Sequence, residues 1–165
     1  MDGIKLCPLI CEDLARQEPV AQAVRAVGPN LVVSLLLDGP QLSNRWPGKY
    51  AAVLSDDPGS SVLTLTALGM TLRATGLGHP PSREVALWSE PGKGAESLIL
   101  DDDAAGIVIE LEMKDEKMWT MDGRDKIKPV LRKICHTSIQ FDNPSQSIIM
   151  LKQSLIKELK RGGLL

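Results

Sequence analysis

"IKLCPLICEDLARQEPVAQAVRAVGPNLVVSLLLDG" (Ile4–Gly39) is the stretch on which the fold turns. Ile4–Ile10 is short and mostly apolar, the pattern of a strand buried in a sheet. Glu18–Val27 follows with Val20, Ala23, Val24 and Val27 at helical spacing. Pro19 suits the first turn of that helix, where a missing N–H costs nothing, and Gly28-Pro29 stops it. "NLVVSLLLDG" then reads as a second buried strand that runs out near Leu36. Strand, helix and strand in about 33 residues predict a βαβ-like unit, hence a sheet covered by helices.

The pattern continues outward from there. Trp46–Leu54 reads as a second helix, broken by "SDDPGS" (Ser55–Ser60), and the β-branched "SVLTLTAL" (Ser61–Leu68) as a strand. "TGLGHPPSR" (Thr75–Arg83) is Gly/Pro punctuation and predicts a loop. "EVALWS" (Glu84–Ser89) and "SLIL" (Ser97–Leu100) flank a Gly-rich turn, which predicts a hairpin, and "GIVIELEM" (Gly106–Met113) predicts a further strand. After about Asp122 the character changes. Residues 124–161 hold nine Lys/Arg against three acids, so +6 locally in a chain of net charge −2. "SQSIIMLKQSLIKELKRGG" (145–163) predicts an amphipathic helix with Ile148, Leu151, Leu155 and Leu159 on one stripe, stopped by Gly162-Gly163. Such a basic helix can meet an anionic lipid or a partner, but packing of its stripe on its own domain is the more common arrangement. The expected organisation is an α/β domain over 1–121 and a basic helical extension over 122–165.

Composition sets bounds. A chain of 165 residues is enough for one domain that buries roughly 70% of its unfolded surface. A net charge of −2 and only 3% aromatic residues remove the charge footprint and the stacking platforms of a nucleic-acid binder. An odd count of three cysteines points to thiols in a reducing compartment. With no run of about 18 apolar residues, no membrane is expected as a partner, and the expectation is a cytoplasmic protein. Cys135-His136, with only His79 besides, does not make a zinc spacing, so neither a metal nor a cofactor is expected.

The chemistry-bearing feature is Cys11, which ends the first apolar run and is followed by Glu12 and Asp13. A thiol at a strand end opens onto the crevice above the sheet, where ligands of α/β folds bind. Backbone N–H groups just beyond it, that of Glu12 first, can hold a developing oxyanion. Asp13 suits a structural role, accepting backbone hydrogen bonds near the helix start. Cys7 sits four residues earlier, on the same strand face by parity but deeper. A papain-like pairing of Cys11 with His79 or His136 is a further arrangement the residues permit.

"LICEDL", the helix after it, "GPNLVVSLLLDGP" and "RWPGKYAAVLSDDPGS" together resemble the C-terminal half of a nitrilase-superfamily carbon–nitrogen hydrolase. In that family a strand delivers the nucleophilic cysteine as C-Y-D or, in glutaminase-type members, C-E-D, often with a glutamate seven residues on. Glu18 stands at that offset. The resemblance covers about Ile4–Met113. It implies a partial αββα sandwich, with Cys11 as a nucleophile that forms a thioester from an amide or nitrile substrate. It makes Ser34, Asn44, Arg45 and Trp46 candidate substrate-binding residues.

The departures are as informative. The family's general-base glutamate and its oxyanion-stabilising lysine lie upstream of the cysteine, and only ten residues stand there. Lys5 cannot substitute, since six residues of strand separate it from Cys11 by roughly 20 Å. The family's Arg-Phe-Pro after the motif is replaced by Ala15, Arg16 and Gln17. The chain therefore reads as half of an enzyme. It is expected to be inactive alone and to work as a homo-oligomer or with a complementing N-terminal half. The other reading is a catalytically silent interaction domain that kept the sheet and lost the chemistry.

Overall fold

The computed structural model describes residues 4–73, 82–119, 125–140 and Lys157. Five short strands form one mixed sheet in chain order: β1 (Leu6–Ile10), β2 (Leu31–Leu36), β3 (Ser61–Thr66), β4 (Glu84–Glu90) and β5 (Gly94–Ile99). β1, β2 and β3 are parallel, with Leu6 beside Leu31 and Leu31 beside Ser61. The expected βαβ-like unit is present. Its helix α1 is shorter than the apolar spacing suggests, at Gln22–Val27, because a wide turn occupies Gln17–Ala21. Gly28 ends it at φ 57°, a left-handed conformation that glycine adopts without a Cβ penalty, and its N–H donates to the Val24 carbonyl. α2 (Trp46–Asp56) and α3 (Leu68–Arg73) follow β2 and β3. β4 and β5 are the predicted antiparallel hairpin.

Alternation sorts the side chains into two layers. Val32 and Leu36 of β2 and Val62 of β3 are buried against Leu14, Val24 and Leu54 on the helix side. Leu31, Leu63 and Leu65 point the other way, where Ile107, Ile109 and Leu131 cover them. That cover is a ribbon of β6 (Ala104–Trp119) and β7 (Asp125–Gln140), paired antiparallel.

β7 corrects the expected basic helical extension over 122–165, since 125–140 is strand; the predicted amphipathic helix over 145–163 lies outside the described residues, as do most of Thr75–Arg83 and His79. Lys128, Arg132 and Lys133 of β7 have structural partners, and neighbouring β7 carbonyls also tie the ribbon to the sheet. Asn30 donates to the Pro129 carbonyl at 3.2 Å, Ser61 Oγ donates to the Leu131 carbonyl, and Lys128 Nζ donates to the Gly59 carbonyl at 3.1 Å. Arg132 is 6% exposed and lies between Glu90 and Glu116: its Nη1 donates to Glu90 at 3.1 Å, its Nε to Glu116 at 2.7 Å, and its Nη2 also to Glu116. A buried guanidinium is tolerated only when paired and hydrogen-bonded in this way.

β1 is one edge of the sheet and β5 the other. The Lys5 carbonyl accepts from the N–H groups of Asn30 and Leu31, so the backbone groups of odd-numbered residues in β1 face β2. Those of Leu6, Pro8 and Ile10 face outward. Pro8 has no N–H, and the Ile10 N–H donates to Asp13 Oδ2 at 3.3 Å. Leu6 alone keeps an outward donor, which protects the edge against strand addition.

Candidate functional site

The site is built where β1 stops. Ile10 keeps extended backbone (φ −120°, ψ 118°), while Cys11 turns to φ 52° and opens a tight 3-10 turn, Cys11–Ala15. Left-handed backbone at a residue bearing a Cβ costs about 1–2 kcal/mol. The surroundings fix it from both sides. Asp13 reaches back to the Ile10 N–H, its carbonyl accepts from Arg16 N–H at 3.2 Å, and Leu14, 3% exposed, is anchored in the helix-side core. Asp13 thus has the structural role expected of it. The left-handed turn also breaks the strand alternation, so parity does not place Cys11 on the side of Cys7. Cys7 packs against the helix-side core, where burial pushes its thiol pKa up.

Half-buried Cys11 instead lines a hollow of about 410 Å³ at the carboxyl ends of β1, β2 and β3. Ile10, Leu35, Leu36 and Leu37 form one wall, and Leu65, Thr66 and Ala67 the other. The carboxyl ends of parallel strands are where α/β proteins bind ligands. Strand order, rather than any local motif, brings these residues to the thiol.

None of the remaining candidates lines this hollow. Ser34 is fully buried, and its Oγ has no hydrogen-bond partner. As an even-numbered residue of β2 it faces the helix layer. Asn44 is exposed. Arg45 pairs with Asp38, Nη2 to Oδ1 at 2.9 Å, and its Nη1 donates to the Pro40 carbonyl at 2.7 Å. Trp46 packs edge-on against Tyr50, ring centroids 6.3 Å apart, beside the helix-side core. Glu12 is exposed, and its backbone N–H lies before the turn's own ladder begins. Glu18 accepts from Gln22 Nε2 at 3.0 Å. His136 stands on β7 opposite Ile109, its ring nitrogen 3.4 Å from Lys133 Nζ. Among the described residues, no group of three or more His, Cys, Asp and Glu is placed to hold a metal, and no helix is long and apolar enough to cross a membrane.

The sequence reading passed over the support beneath the hollow. Thr66, on its wall, donates to the Asp38 carbonyl at 2.8 Å. Gln41 is fully buried; it accepts from Thr64 Oγ1 at 2.8 Å and donates to the Gly39 carbonyl at 2.9 Å. Arg45 and Asp38, with side chains 12% and 15% exposed, complete a network that holds the loop between β2 and α2. The strand alternation that turns Thr64 and Thr66 inward was the available signal.

Fold and site define a mixed α/β protein with a half-buried cysteine at a strained strand-to-helix turn. Compared with protein-family models, with curated proteins and with solved structures, the chain matches none of them.

Proposed function

We propose that the chain is the cysteine-bearing part of a carbon–nitrogen hydrolase-like domain of partial αββα type, with Cys11 as its nucleophile. The observation that carries the reading is the left-handed backbone at Cys11, on the rim of a hollow at the strand ends. A nucleophile on a sharp strand-to-helix turn is presented to substrate clear of its own strand, and strain of this kind gathers at functional sites. The Cys11 thiolate adds to the carbonyl carbon of an amide, and the Glu12 N–H helps hold the oxyanion. Collapse expels the amine, which takes up a proton, and leaves a thioester. Water then releases the acid and restores the thiol.

The proton needs a base, and Glu12, Asp13 and Glu18 are exposed or hydrogen-bonded elsewhere. The reading therefore includes a homo-oligomer or a second polypeptide that supplies the base and a cation. An interaction domain without chemistry is the second reading, favoured by the nearly all-aliphatic walls of the hollow and by the structural engagement of Arg45 and Trp46. The test is acylation of the pure chain by an activated ester, mapped by mass spectrometry, beside turnover of simple amides and glutamine. Acyl transfer to Cys11 without amide turnover is expected. An unmodified Cys11 under conditions that acylate an exposed thiol would leave the interaction domain as the answer.

A further inference from the structure

A second space adjoins the Cys11 hollow. A cleft of about 440 Å³ lies between the sheet and the ribbon, and Leu65, Thr66 and Ala67 line both spaces. Leu63, Leu68, Leu98, Ile107 and Ile109 supply much of the rest of the cleft. We propose that the two spaces hold one ligand, and that the substrate at Cys11 is the amide of a medium- or long-chain aliphatic acid, with its chain running from the hollow into the cleft. The inference rests on the reading of Cys11 as the nucleophile and adds to it the substrate class.

The first support is the chemistry of the walls. Among the described residues, no charged side chain lines either space, and Cys11 and Thr66 are the only polar side chains there. The Thr66 hydroxyl already donates to the Asp38 carbonyl at 2.8 Å. Sites for polar ligands carry a few placed polar groups that fix orientation. Glutamine would bring an ammonium and a carboxylate against walls with nothing to pair them, and burying unpaired charge is costly. Arg45, the candidate that could have met a substrate carboxylate, is committed to Asp38 and to the Pro40 carbonyl. An aliphatic chain asks nothing of these walls except apolar contact.

Size and order give the second support. The hollow, at about 410 Å³, and the cleft, at about 440 Å³, each fall within the range of small-molecule sites, roughly 300–1,000 Å³. Cys11 lines the hollow and not the cleft. A carbonyl carbon placed at its sulfur therefore leaves the far end of an acyl chain to pass over the end of β3 into the cleft. Each methylene taken from water in this way is worth about fourfold in affinity.

The test uses the full chain and the rate at which iodoacetamide alkylates Cys11, mapped by mass spectrometry, with exposed Cys135 as the internal reference. Octanamide, acetamide and glutamine are the probes. Alkylation needs no enzymatic base, so it reports occupancy whether or not Cys11 is a nucleophile. Octanamide should slow Cys11 roughly fivefold or more relative to Cys135, at a concentration where acetamide and glutamine slow it less than about twofold. Ala67→Trp and Ala105→Trp change exposed positions on the two walls of the cleft and should each raise the octanamide concentration required about threefold or more. Ala105 lines the cleft and not the hollow, so its variant should keep the unprotected Cys11 rate. Equal protection by the three amides, or none by octanamide, overturns the proposal. Protection that neither tryptophan weakens overturns it too, because the chain then lies outside the cleft. Octanamide protection beside a Cys11 inert to activated esters would keep the aliphatic site and fail the nucleophile reading alone. Equal acylation of Cys11 by acetyl and octanoyl esters would do the reverse.

Discussion

Substituting Glu90 by glutamine perturbs the junction between sheet and ribbon at its most buried charge. Glu90 is 6% exposed and receives the Lys133 N–H at 2.7 Å, the Trp88 indole N–H at 2.8 Å, Arg132 at 3.1 Å and Lys93 at 3.1 Å. Burial alone would raise its pKa. The hydrogen bonds from Lys133, Trp88, Lys93 and Arg132 outweigh burial and hold it at about 2, against an ordinary 4.5. That difference corresponds to about 3 kcal/mol of folding stability at neutral pH. Because the folded value is depressed, the contribution is intact above about pH 4.5 and is lost as pH falls towards 2. About 2 kcal/mol of it should be gone by pH 3. Glu90→Gln removes the charge and leaves Arg132 buried with Glu116 alone, at a cost of about 3–5 kcal/mol. Against a usual total of about 5–15 kcal/mol, this is a large loss. Urea unfolding followed by tryptophan fluorescence at pH 6 and pH 3 measures it, since Trp88 is itself a partner of Glu90. The gap between wild type and variant should narrow by about 2 kcal/mol from pH 6 to pH 3. A gap equal at both pH values, or smaller than about 0.5 kcal/mol at pH 6, would refute the reasoning.

Cys11→Gly should raise stability by about 0.5–1 kcal/mol, because glycine takes the left-handed turn without strain, while ending acylation at that site; unchanged or lower urea stability would contradict the strain. Gly48→Ala should destabilise by about 1–3 kcal/mol, since a Cβ there would stand 2.6 Å from the Leu42 carbonyl oxygen and 2.7 Å from Ser43 Cα, both backbone atoms with little room to move. The thermal midpoint reads this, and no shift would count against the packing of α2 on its preceding loop. Cys7 should be the slower of the two N-terminal thiols towards iodoacetamide at pH 7, and its rate should rise towards higher pH because burial holds the thiol protonated. Mass-mapped rates that are equal for Cys7 and Cys11 would remove the distinction between strand interior and strand end.

Where the sequence alone settled the matter, a single element carried its own signal. Leu31–Leu36 is a strand because its apolar run is too short for a helix and is bounded by "GPN" and "DGP". Trp46–Asp56 begins with Pro47 in its first turn, and the β4–β5 hairpin is announced by the Gly-rich turn between Glu90 and Gly94. Cys11 was legible as a strand-end thiol for the same reason. Its left-handed backbone was not, since nothing in a residue with a Cβ asks for φ 52°; the anchoring of Leu14 and the Asp13–Ile10 bond impose it. β7 was missed because Arg132 and Lys133 look solvated until Glu90, Glu116 and Glu96, distant in sequence, come to neutralise them. Arg45 likewise read as a candidate substrate-binding residue until the fold brought Asp38 to it. Local periodicity and turn chemistry are properties of neighbouring residues, so a sequence displays them. Which charge is buried, and which residue bears strain, depends on partners that only the folded chain brings within hydrogen-bonding distance.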